Sequence, residues 1–90
     1  MTATKTARVL HFEGYVAADQ DGEMWITMPL EDYNRVRRRA PYHRMRSERI
    51  RLLTNDAGHQ SMTLPLLDFE RFEQLVAKQG VELVRYEDPK

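Results

Sequence analysis

The chain contains no cysteine, which excludes a disulfide framework and a thiolate metal site. It also has no apolar run approaching the length that crosses a bilayer. Its opening residues, Met1 to Ala7, lack the apolar centre of an export signal. These absences lead us to expect a soluble, cytoplasmic protein with no membrane attachment. Chemistry-bearing motifs are missing as well. No nucleophile elbow, phosphate-cradling glycine loop or HExxH segment occurs. The three histidines, His11, His43 and His59, show no helical i,i+4 pairing, so surface or structural roles are the simpler reading. Asp19 and Asp21 fall in a turn-forming stretch and are explained by turn chemistry. No catalytic residue, metal or cofactor is assigned, and a non-enzymatic protein is expected.

A chain of 90 residues fits one domain, 1–90, near the lower limit for independent folding. A domain this small buries only about 60% of its unfolded surface, so a partner or a second copy would add stability. The zero net charge conceals a segregation. Residues 1–34 hold two basic and six acidic side chains, a balance of −4. Residues 35–51 hold eight arginines and one glutamate, a balance of +7. Residues 52–90 hold four basic and seven acidic side chains, a balance of −3. Local asymmetry of this size bears on partners more than the total does.

Shifting the chain by 36 positions brings Gly22–Val36 over Gly58–Phe72 without a gap. Six pairs are identical: Gly22/Gly58, Thr27/Thr63, Pro29/Pro65, Leu30/Leu66, Asp32/Asp68 and Arg35/Arg71. Four more stay apolar: Ile26/Met62, Met28/Leu64, Tyr33/Phe69 and Val36/Phe72. The pattern reads as a tandem ββα duplication. Each glycine ends a polar stretch that suits a hairpin turn with a positive φ. Ahead of the first turn, Ala7–Ala17 alternates as one strand, with Leu10, Phe12 and Val16 on one face and Tyr15 on the other. Met24, Ile26 and Met28 share a face in the next strand, with Trp25 opposite. In the second unit, Ile50, Leu52 and Thr54 pair with the strand of Met62 and Leu64.

Pro29 and Pro65 close the second strand of each unit and open a helix, since proline suits the first helical turn, where a missing N–H loses nothing. Asp32 and Asp68 favour the positive helix end. The first helix is expected over about Leu30–Ala40, with Leu30, Tyr33 and Val36 inward. The second is expected over Leu66–Gln79, with Leu66, Phe69, Phe72, Leu75 and Val76 inward and Gly80 as its stop. A last strand covers Val81–Tyr86. The fold class is therefore α+β, in the order β-β-α-β-β-α-β. A five-stranded, mainly antiparallel sheet with both helices on one face is expected. The first unit spans about 7–40, the arginine-rich connector 41–48, and the second unit with the final strand about 49–86.

The candidate site lies where the repeat fails. Arg37, Arg38 and Arg39 align with Glu73, Gln74 and Leu75, so the positive charge belongs to the first unit alone. Arg44, Arg46 and Arg49 continue it, with Tyr42 and His43 interleaved. Arginine's planar fork matches phosphate and carboxylate, and aromatic rings stack on bases. Nucleic acid or an acidic or nucleoprotein partner is the expected ligand. A solvated connector whose arginines favour the helix dipole is the plain alternative. Tyr15 and Trp25, on the face away from the core, are candidates for a protein interface, including that of a homodimer. A protein-binding inhibitor or adaptor, such as a phage or mobile-element protein that blocks a host defence complex, is the second functional reading.

The run Pro29-Leu-Glu-Asp-Tyr-Asn-Arg35, entered from a strand, resembles the strand–helix junction of antitoxins of the prevent-host-death type. The likeness covers about fifteen residues in each unit. It implies a local strand-to-helix junction, and no function is carried from it.

Overall fold

The computed structural model describes residues 8–38 and 47–86. Six strands and two helices follow in the order β1 (Arg8–Glu13), β2 (Tyr15–Ala18), β3 (Met24–Pro29), α1 (Leu30–Arg38), β4 (Arg51–Thr54), β5 (Gln60–Pro65), α2 (Leu66–Ala77) and β6 (Val81–Tyr86). The molecule is α+β, with two helices and a mostly antiparallel sheet.

Two hairpins join into a four-stranded antiparallel sheet of order β2-β3-β5-β4. Within the hairpins Tyr15 lies opposite Thr27, and Arg51 lies opposite Thr63. Between them Thr27 faces Thr63, Ile26 faces Leu64 and Met28 faces Met62. Residues 36 apart thus take matching places, related by a local two-fold through the Thr27–Thr63 pair. The hydroxyls of those two threonines meet at 2.9 Å, and the Thr63 hydroxyl also lies 3.2 Å from the Ile26 carbonyl oxygen, which accepts.

Both turns are built alike. The Asp19 carboxylate accepts from the amides of Asp21 and Glu23, each at 2.9 Å. The Asn55 side-chain oxygen accepts from Ala57 and His59 at the same distance. Gly22 and Gly58 supply the left-handed residue, with φ of 82° and 85°, a conformation that costs a side-chain-bearing residue about 1–2 kcal/mol.

One face of this sheet contributes Ile26, Met28 and Leu64 to the core. Val36 of α1 and Phe69, Phe72 and Val76 of α2 pack there, with Leu10 and Phe12 of β1 and Val81 and Leu83 of β6. Burying a side chain of this size contributes about 1.5–3 kcal/mol. Val16, Tyr33, Ile50 and Leu66 pack around the rim.

The expected single five-stranded sheet is not what forms. The first strand is broken at Gly14 into β1 and β2, and β1 pairs in parallel with β6 as a separate two-stranded sheet. The break has a steric cause. A Cβ on Gly14 would lie 3.2 Å from the Phe12 ring and 3.3 Å from the Thr27 carbonyl oxygen. A residue without a side chain lets the chain cross there and leave the hairpin. β6 then enters beside β1, where the Arg8 amide donates to the Gly80 carbonyl at 2.7 Å and Leu10 lies opposite Leu83.

Three smaller points concern the proline junctions and the helices. Pro29 and Pro65 close the second strand of each hairpin, as expected, and the helices start one residue later at Leu30 and Leu66. Each is the last paired residue of its strand, opposite Ser61 and Trp25 respectively. Leu75, expected inward, is exposed, while Val76 one residue on is fully buried. Helix α1 is described through Arg38, and the expected extension to Ala40 lies outside the described residues.

Candidate anion-binding site

The junction of each hairpin with its helix is anchored by an aspartate in the first helical turn. The Glu13 amide donates to Asp32 Oδ2 at 2.6 Å, and Arg35 lies 3.1 Å from Asp32 Oδ1. In the second half the Ser47 hydroxyl donates to Asp68 Oδ2 at 2.7 Å, and that hydroxyl accepts the Arg49 amide at 3.2 Å. A serine oxygen thus relays what an amide does directly in the first half. Arg71 sits 3.7 Å from Asp68. Arg35 and Arg71 therefore each pair with the aspartate of their own helix.

Two candidate arginines stand at the end of α1. Arg37 and Arg38 are exposed. The guanidinium carbon of Arg37 lies 5.9 Å from the centre of the Tyr33 ring. Among the described residues neither pairs with a carboxylate. Their charges sit at the negative end of the helix, which the macrodipole favours. The neighbouring candidates Arg39, Tyr42, His43, Arg44 and Arg46 lie outside the described residues.

Arg49 is placed differently. It approaches β4 and reaches back across the sheet to the first turn, where its two terminal nitrogens lie 2.6 and 2.7 Å from the Glu23 carboxylate oxygens. This bidentate pair raises the Arg49 pKa above its already high ordinary value. The same guanidinium lies 4.9 Å from the centre of the Trp25 ring, and that of Arg51 lies 5.4 Å from it. Cations over an indole face are attracted by its quadrupole. The Trp25 indole N–H donates to Asp19 Oδ2 at 2.9 Å. That bond holds the Asp19 carboxyl below its ordinary range, with the turn amides and Arg49 assisting.

Trp25 is on the sheet face away from the core, as the alternation implies, and it is partly covered by the arginines. Tyr15, on the same face, is exposed. The structure brings Trp25 and Arg49 together and adds Asp19, Glu23 and Arg51, which the pattern of residues did not single out. Glu23 and Arg49 are 26 positions apart, and no local spacing connects them. Only the cross-sheet register, with Trp25 opposite Pro65, brings the approach to β4 over the first hairpin.

The remaining titratable groups lie elsewhere. His11 stacks on Tyr86 with ring centres 4.9 Å apart. Glu73, which takes on α2 the place of Arg37 on α1, has its pKa raised by partial burial and by Glu70, with Arg85 opposing. Among the described residues no three histidine or carboxylate side chains gather to hold a metal ion, and no helix is long and apolar enough to cross a membrane. No protein-family model, curated protein or solved structure matches the chain.

Proposed function

We propose that the protein is a small non-enzymatic binding module whose arginine-rich segment engages an anionic partner, most simply nucleic acid. The observation that carries this reading is a division among the arginines. Arg35 and Arg49 are held by carboxylates of the chain itself, whereas Arg37 and Arg38 point a concentrated charge into solvent. The balance of +7 over residues 35–51 extends that charge along the chain. The framework is read as a tandem duplication, supported by the matching hairpin registers and turns. In that reading the first copy acquired the arginines and the second kept Glu73 and Gln74.

Binding to duplex DNA, single-stranded DNA and RNA, measured by anisotropy over a salt series, tests the function. Phosphate contact predicts that log affinity falls by about 0.9 per log unit of salt for each duplex phosphate neutralised. Replacing Arg37, Arg38, Arg39, Arg44 and Arg46 together by glutamine is expected to abolish binding. Absence of binding at low salt rejects the proposal. The second reading, a protein-binding inhibitor or adaptor, draws on Tyr15, 61% exposed on the open sheet face. A protein partner captured from lysate that survives nuclease treatment would replace the first reading with this one.

A further inference from the structure

Resting on that anion-binding reading, we propose that Glu23 is an internal competitor for the partner's phosphates. Its carboxylate occupies the fork of Arg49, and partner binding displaces it and alters the cover of Trp25. A carboxylate held by both terminal nitrogens of an arginine has the shape and charge that the same fork meets in a phosphate. Arg49 belongs by sequence to the basic segment, yet its charge is the one turned inward, onto the first hairpin.

The hold is of a kind that yields. The Arg49 side chain is 51% exposed and that of Glu23 36%, and exposed ion pairs are weak and screened by salt. The backbone, in contrast, is tethered to α2. The Arg49 amide is tied through the Ser47 hydroxyl to Asp68 at the start of α2. Exchange of partners therefore needs only a swing of the guanidinium and no movement of the chain. When it swings, Trp25 loses one of the two cations over its face. Trp25 is the only tryptophan, so its emission reports the exchange without a label.

The test uses the full chain, Glu23→Gln, and Glu82→Gln as a control that removes the same charge from an exposed position on β6. Each is titrated with a labelled DNA duplex and a labelled single strand of about 20 nucleotides, from about 50 to 200 mM salt. Trp25 emission is followed in parallel with unlabelled strands. Glu23→Gln is expected to bind several-fold more tightly than the parent at the lowest salt. Its salt slope is expected to stay close to the parental one, because Arg49 meets a phosphate in both complexes, while Glu82→Gln keeps the parental slope and gains less affinity. In the parent, Trp25 emission is expected to change with the same midpoint as the anisotropy. If the parent binds with unchanged Trp25 emission, and Glu23→Gln behaves as Glu82→Gln does, the competitor role is overturned and the binding function stands. If neither the parent nor Glu23→Gln binds either strand at the lowest salt, the binding function itself is overturned and the competitor role with it.

Discussion

Asp19 and Asn55 hold the two hairpin turns in the same way, each accepting two amides at 2.9 Å. Only Asp19 also receives an indole, because Trp25 stands where the second hairpin has Ser61. The helices differ in the same manner. Asp32 and Asp68 anchor both junctions, yet the positions that follow are Arg37 and Arg38, both exposed, on α1, and the partly buried Glu73 and exposed Gln74 on α2. Packing differs as well. Val16 packs against the core, whereas Leu52, its counterpart in the second hairpin, is 53% exposed. Residues that build the frame agree between the halves. The tryptophan and the basic helix end occur in the first half only, the arginines over Trp25 come from the second, and that contrast marks the candidate site.

The sharpest way to break the comparison is through the core. Phe72 and Val36 occupy matching helical positions and are both essentially buried. Phe72→Ala is expected to cost about 3–5 kcal/mol. Val36→Ala is expected to cost less, because its whole side chain contributes about 1.5–3 kcal/mol. Urea unfolding measures both, and equal losses would show that the halves do not share one core as described. A smaller effect separates the anchors. Asp32→Ala leaves the part-buried Glu13 amide without its acceptor, at a cost of about 1–3 kcal/mol. Asp68 is less buried and accepts from a serine hydroxyl, so Asp68→Ala is expected to cost under about 1.5 kcal/mol. A reversed order would mean that the serine relay, and not the direct bond, is the stronger junction.

Much of the frame was legible in the residues. Alternation and the paired glycines located both hairpins, and the apolar spacing placed Val36, Phe69, Phe72 and Val76 inward. The break at Gly14 was not legible, because its cause is the approach of the Thr27 carbonyl, a contact between strands. The parallel partner of β1 was hidden for a related reason. Val81–Tyr86 has a strand pattern but nothing local that selects its neighbour. At the site, the charge segregation marked the arginines, but only tertiary placement separates Arg49, which is paired with Glu23, from Arg37 and Arg38, which are not. Tyr15 and Trp25 were placed on the outer face by alternation alone. The arginines over Trp25 were invisible to it.

The most direct measurement exchanges the two helix ends. Arg37→Glu with Arg38→Gln writes the α2 residues onto α1 without touching a buried side chain. The account predicts a melting temperature close to the parent's, since exposed substitutions usually change stability by under about 0.5 kcal/mol. It also predicts a DNA-binding salt slope shallower by about 1.8, two phosphates' worth. A variant that folds as the parent does and keeps the parental slope would contradict the claim that the basic end of α1 is the binding site.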